Sequence, residues 1–265
     1  MALEVADADL RDSLRRMFSR FVAPAAPEGG AVARLQVIAP EVPRPAPTTR
    51  ELPLVRRAPD GTLRLEGEDY SATLSPDGLR ATVVGQGRFP VETVLKVMLA
   101  GALARRGGLL VHGVAVAHLG RAALFVGHSG AGKSTLGALW AGAGGEVLSD
   151  ELVAVWPEAT ADGARAVWRA AGTPWNVGLP GEAVLKAVGT LAWDMGSRWE
   201  PQAAGEVGRM LMLNALLPEA TAAGRGGLLA AAGRLLSEVS TVRLVFARDA
   251  SAAKVVRGAL ESMHG

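Results

Sequence analysis

Apolar positions recur at helical spacing over residues 7–22, where Leu10, Leu14, Met17, Phe18 and Phe21 share one face. This spacing predicts an amphipathic helix. Core packing, docking within the chain and partner binding would all use such a stripe, and packing within the chain is the common use. The pattern then shortens into strand-like runs at 34–38, 52–57, 62–66, 71–74 and 80–84. Turns at Pro59-Asp60-Gly61 and Pro76-Asp77-Gly78 join several of these runs into hairpins. Pro-rich stretches at 23–30 and 40–47 read as connectors. Residues 1–88 are therefore expected to form an N-terminal helix and an antiparallel β region, followed by a helix over 90–106.

Residues 89–265 alternate between the two periods. Residues 110–117 and 121–126 read as a hairpin turning at His118-Leu119-Gly120. Leu136, Leu139 and Trp140 fall on one helical face, and Gly144-Gly145 stops that helix. Strands are expected at 146–149 and 152–156, with a hairpin tip at 159–164 leading to 165–169. Helices are expected at 182–188, 203–217 and 227–236, a strand at 242–247 and a last helix from about 251. Glu200-Pro201 reads as the start of the 203–217 helix. Trp193, Trp199 and the Leu and Met positions of 207–217 read as core. No internal repeat is present.

The joint between the 121–126 strand and the next helix carries the most specific chemistry. The run Gly127-His128-Ser129-Gly130-Ala131-Gly132-Lys133-Ser134-Thr135 fits G-x-x-x-x-G-K-[ST] without a gap. Glycines let successive N–H groups turn inward toward phosphate oxygens. Lys133 supplies a point charge, the Ser134 hydroxyl suits Mg²⁺, and the helix adds its N-terminal dipole. A strand before and a helix after are what the motif requires. The sequence thus predicts a nucleotide site formed by Gly127, Ser129, Gly130, Ala131, Gly132, Lys133, Ser134 and Thr135.

Composition narrows the class. The 28 Lys and Arg against 26 Asp and Glu give a net charge of +2, too small for a nucleic-acid surface. The absence of cysteine excludes disulfides, thiolate metal sites and cysteine nucleophiles, and fits a reducing compartment. No leader pattern opens the chain. The most apolar stretch, 109–126, is interrupted by His112, His118, Gly120 and Arg121, so it reads as a hairpin rather than a membrane span. A cytoplasmic protein without membrane or nucleic-acid partners is the expectation.

Two features around the loop go further. An antiparallel neighbour leads directly into the loop strand, and an acidic pair, Asp150-Glu151, follows Lys133 by 17 positions at the end of the next strand. His112-Gly113, the GHSGAGKST loop and Ser149-Asp150-Glu151 together resemble the HPr kinase/phosphorylase family, whose fold is related to phosphoenolpyruvate carboxykinase. The resemblance is specific over about 109–156. It implies an α/β fold: a P-loop kinase core of HPr-kinase/PEP-carboxykinase type with a mixed sheet, behind a β-rich N-terminal region. It implies ATP and Mg²⁺ as cofactors and phosphoryl transfer to a hydroxyl, for instance a serine of a protein or peptide, or a small molecule. By position, Lys133 would hold the β-phosphate, and Ser134 would ligate the metal. Asp150 would act as base or hold the metal, Glu151 would be a metal or supporting carboxylate, and His112 would line the site. The family's tendency to form hexamers makes a homo-oligomer part of what is implied. The family's later Glu-[Ile/Val]-Arg-Gly signature is absent. Arg169-Ala-Ala-Gly-Thr-Pro-Trp175 stands in its place and resembles a loop in shortened relatives, so phosphorylase activity and HPr recognition are not implied.

Alternatives stay open at several positions. Asp150 also reads as a solvated turn carboxylate and His112 as a satisfied core histidine. Arg169 reads as an ordinary ion pair, and Thr173 and Trp175 as loop packing or an acceptor pocket. His118 reads as an exposed turn residue. Two rival functions share the loop: a nucleotide-binding regulatory module, which needs no base at 150, and a carboxykinase- or phosphohydrolase-like enzyme.

Overall fold

Period-two alternation builds the N-terminal sheet. The computed structural model describes residues 2–23, 32–42, 55–160 and 166–263. Residues 24–30 of the expected 23–30 connector, 43–47 of the 40–47 connector, 52–54 of the 52–57 strand and 161–164 of the 159–164 hairpin tip lie outside the described residues. The chain divides into two units, Met1–Ala102 with Leu217–Gly226, and Leu103–Leu216 with Gly227–Gly265.

In the first unit, β1 (Ala2–Val5), β2 (Arg34–Ile38), β3 (Val55–Arg57), β4 (Leu63–Glu66), β5 (Tyr70–Leu74) and β6 (Arg80–Gly85) form a six-stranded sheet ordered β1-β2-β6-β5-β4-β3. Leu35, Val37, Leu63, Leu65, Ala72, Leu74, Ala81 and Val83 are buried, and their neighbours are more exposed. The expected all-antiparallel arrangement is corrected here. β1 pairs with β2, and β2 with β6, in parallel. Tight turns force antiparallel pairing only between the strands they join, and β2 has no such turn to either partner. Tyr70 is buried in this unit. It is 1% exposed, meets Phe89 edge-on at 6.4 Å, and burial pushes its hydroxyl up to about 12.

The N-terminal helix is shorter than its apolar stripe. α1 (Ala8–Met17) starts at Asp7, whose carboxylate accepts from the Leu10 N–H at 2.8 Å, and a single 3₁₀ turn follows at Ser19–Phe21. α2 (Arg88–Arg105) is buried on nearly every side, as Val91, Val94, Leu95, Val97 and Met98 require. Residues 217–226 join this unit through β3: the Ala220 N–H donates to the Val55 carbonyl at 3.0 Å, and Arg57 Nε donates to Glu219 at 3.0 Å.

The second unit is a mixed α/β domain. Its strands are β7 (Leu109–His118), β8 (Arg121–Val126), β9 (Glu146–Ser149), β10 (Leu152–Ala159), β11 (Ala166–Ala171), β12 (Glu182–Trp193), β13 (Arg198–Pro201) and β14 (Ser240–Phe246). They form one sheet ordered β11-β10-β7-β8-β12-β14-β13, with β9 also on β7. Helices α3 (Lys133–Gly142) and α6 (Ser251–Ser262) cover a core that includes Val114, Phe125, Leu136, Trp140, Leu244, Phe246, Val256 and Leu260. α4 (Ala204–Asn214) packs on β7, β8 and β12. α5 (Ala222–Glu238) completes the described helices.

Two sequence expectations are corrected here. Residues 182–188 are not a helix but the first half of β12, which lies parallel between β8 and β14. Their Glu, Ala, Leu and Lys content favours helix, but the sheet needs a strand in that gap to pair both neighbours. Arg198–Pro201 is an edge strand on β14 rather than a helix start, with Pro201 at its end where no ladder donor is needed. Because β8, β12 and β14 are parallel, their C-terminal ends emerge along one edge of the sheet. Among the described residues, no helix is long and apolar enough to cross a membrane.

Candidate functional site

β8 ends at Val126, and the chain turns through Gly127–Gly132 into α3. Gly130 and Gly132 take φ of +83° and +105°, backbone that an L side chain rarely adopts. Gly132 is the N-cap of α3, and its carbonyl accepts the Leu136 N–H at 2.8 Å. A Cβ there would stand 2.6 Å from Trp193 Cζ2 and 2.9 Å from Phe246 Cζ, so close approach also demands glycine. His128, Ser129, Gly130 and Ser134 are exposed, Thr135 is half-buried, and Gly127, Ala131 and Gly132 are buried. Lys133, only 8% exposed, folds its ammonium back onto the loop, donating to the Gly127 carbonyl at 2.7 Å and the His128 carbonyl at 3.2 Å. Burial holds its pKa below the ordinary lysine value. The first amides of α3 have no partners within the helix, so the loop presents donors and a dipole suited to an anion.

β9 and β10 both pair antiparallel with β7 along the edge opposite β8, interrupted at Asp150-Glu151. The break seats Asp150 under α3: a Cβ on Gly137 would be 3.7 Å from Asp150 Cβ. Gly137 lies three residues after Ser134, so both occupy one face of the helix. Asp150 is 9% exposed, and its Oδ1 accepts from Asn176 Nδ2 at 2.8 Å and the Val177 N–H at 3.2 Å. His112 stands across from Leu152 in the β7–β10 ladder. The next residue, Gly113, donates its N–H to the Glu151 carbonyl at 3.0 Å. Glu151 is half-buried and adjoins Asp150 in the interrupted strand. The fold therefore brings the loop, Ser134 and Asp150 to one place and sets His112 and Glu151 on the strands flanking the break.

No protein-family model matches the chain, and no curated protein matches it in sequence.

Asn176 and Val177 escape sequence reasoning. They belong to the segment between β11 and β12, which docks on β9: the Leu179 N–H donates to the Leu148 carbonyl at 3.0 Å, and Gly178 bridges Ser149. Gly172 is required where that segment closes, because a Cβ would fall on the Leu148 and Leu179 carbonyl oxygens. Thr173, buried, donates to the Leu152 carbonyl at 2.5 Å, and Trp175 is 4% exposed. Both pack the segment. Asn176 takes φ of +54°, which asparagine tolerates better than most residues. The only local signal was an asparagine in a Pro/Gly-rich loop.

The remaining weighed residues take structural places. Arg169 pairs with Glu158 at 2.8 Å and Glu182 at 3.3 Å across β10, β11 and β12. His118 meets Glu261 at 2.9 Å. Trp193 is not simply core. It ends β12, packs on Phe246 with ring centroids 4.4 Å apart, and turns its indole edge to the loop, with Nε1 3.4 Å from the Gly130 carbonyl. Among the described residues, no group of three or more His, Asp or Glu side chains is placed to hold a metal ion.

Proposed function

We propose that the chain is a kinase that binds Mg-ATP on the Gly127–Thr135 loop and transfers the γ-phosphoryl group to a hydroxyl acceptor. The reading is supported above all by Asp150, a carboxylate buried beneath the loop helix and fixed through one oxygen by two donors. The second oxygen, Oδ2, is the one this reading assigns to the reacting groups. Phosphoryl transfer asks mainly for charge neutralisation and in-line positioning, which a loop, a lysine and a carboxylate supply.

The residues fit Mg²⁺. Magnesium keeps several waters and takes one or two protein ligands, so the Ser134 hydroxyl, with Glu151 directly or through a water, would suffice without a larger acidic cluster. The metal would supply charge neutralisation between the phosphates. Lys133 would leave the Gly127 and His128 carbonyls for phosphate oxygens. Asp150 takes the proton of the acceptor hydroxyl as the new O–P bond forms and the bond from the γ-phosphorus to its bridging oxygen breaks. His112 and Glu151 flank this point from β7 and the strand break. The resemblance to HPr kinase gives the acceptor class, a serine of a protein or peptide or a small-molecule hydroxyl.

Two variants test the reading. Lys133→Ala is expected to weaken Mg-ATP binding more than tenfold by calorimetry, a loss of about 1.4 kcal/mol or more. Unchanged binding would sink the loop assignment. Asp150→Asn is expected to keep nucleotide binding while cutting transfer of labelled γ-phosphate by about 10²–10⁴-fold. Transfer that survives the change removes Asp150 as base. Intact binding with no transfer by the wild type, across protein and metabolite acceptors, would favour the nucleotide-binding module.

A further inference from the structure

The loop strand β8 has two flanks. On one side lies β7, with the β9–β10 break and Asp150. On the other lie β12 and β14, whose ends carry Trp193 and, two residues past Phe246, Arg248. The Arg248 guanidinium lies over the Trp193 ring, 4.4 Å from its centroid. Phe246, wholly buried, packs on the same ring from the core, and Arg248 is exposed. The indole edge meanwhile rests on Gly132 and points its N–H at the Gly130 carbonyl. Arg248 is therefore held one ring away from the loop.

The carboxylates next in sequence to Trp193 and to Arg248 are engaged elsewhere. Asp194 pairs with Arg198 at 2.7 Å, and Asp249 accepts from the Ser251 N–H at 2.8 Å. Among the described residues Arg248 forms no ion pair, and it is exposed beyond its contact with the Trp193 ring. A flat cation stacked on an aromatic ring presents a second flat surface, and nucleobases stack on arginine planes as they do on aromatic rings.

We propose that the Trp193–Arg248 stack is the platform that receives the base of the nucleotide, most favourably a purine, whose larger ring system covers more of it. The assignment rests on the kinase reading. A phosphate chain lying along Gly127–Ser134 must turn its reacting end toward Asp150, on the β7 flank. Its nucleoside end then points to the β12–β14 flank, where this stack stands.

The test separates base from phosphate with two probes, Mg-ADP and Mg-tripolyphosphate, titrated by calorimetry into wild type, Arg248→Ala, Arg248→Lys and Lys133→Ala, each checked for fold by circular dichroism. The platform is supported if Arg248→Ala weakens Mg-ADP about tenfold, within the range for loss of one stacked base, while Mg-tripolyphosphate is unaffected. Arg248→Lys should fail to restore Mg-ADP, because lysine keeps the charge and loses the plane. Rescue by lysine, or equal weakening of both probes, makes Arg248 a phosphate contact and overturns the platform. Unchanged Mg-ADP affinity in Arg248→Ala overturns it as well. If the wild type binds neither probe, or Lys133→Ala binds both as well as wild type, the kinase reading itself falls, and that failure is told apart from the others by the tripolyphosphate arm.

Discussion

Asn176 is the residue through which the second unit controls its buried carboxylate. Its amide and the following N–H both donate to Asp150 Oδ1. Two hydrogen bonds to one oxygen hold the carboxylate in one orientation. Asn176→Asp would exchange a donor for a second carboxylate at this contact. The Asp150 carboxylate would lose the donor that orients it, so the transfer rate is expected to fall, with little change in Mg-ATP affinity. Asn176→Gly keeps the left-handed backbone at φ +54° and removes only the side-chain donor. It is expected to lower the rate less than Asn176→Asp. A transfer rate unchanged in Asn176→Asp would remove Asn176 from the positioning of Asp150. Neither role is visible along the chain, because 26 residues separate Asn176 from Asp150 and no periodicity links them.

At the scale of elements, the site is made where strands are interrupted or end. β9 and β10 would form a continuous partner for β7, but the break at Asp150-Glu151 turns one carboxylate under α3. The segment from Gly172 to Gly181 holds that break from the other edge through Leu148, Ser149 and Leu152. Gly172→Ala would drive a methyl into two carbonyl oxygens. Overpacking of this kind costs about 1–3 kcal/mol, read as a lower denaturation midpoint. Transfer is expected to fall further than Mg-ADP binding, since the segment clamps Asp150 and not the loop. Equal losses of both would mean that the segment supports the whole unit and not the carboxylate.

At the scale of the molecule, the chain carries two hydrophobic cores, one around Tyr70 and one around Trp140, Phe125 and Phe246. Perturbations are expected to act on them separately. Mg-ADP at a hundred times its Kd should stabilise the second unit by about 2.7 kcal/mol and raise only its transition in calorimetry. Alkaline pH should act on the first. The Tyr70 hydroxyl, raised to about 12 by burial, keeps its proton in the folded state after an exposed tyrosine has lost it. Its contribution is fully present below about pH 10 and is lost as pH rises through about 12. Tyr70→Phe is expected to flatten that alkaline loss. One ligand-responsive transition covering the whole chain would contradict two separate cores.

The sequence alone determined what is local or periodic. It set out the loop from Gly127 to Thr135, the β7–β8 hairpin before it, the strand after α3 and the alternating strands of the first unit. Glycine-lysine spacing and side-chain alternation act within a few residues, so they can be read in one dimension. Tertiary structure decided what depends on a partner far along the chain. Residues 182–188 have helical composition, yet they become β12 because β8 and β14 leave backbone donors and acceptors to be paired. β2 runs parallel to β6 because no short turn dictates otherwise. Trp193 packs on the core and also reaches the loop because parallel β8, β12 and β14 bring their ends to one edge, and Asn176 reached Asp150 because its segment docks on β9. Hydrogen-bond satisfaction and close packing between distant segments fixed these positions, and neither is a property of any single stretch of sequence.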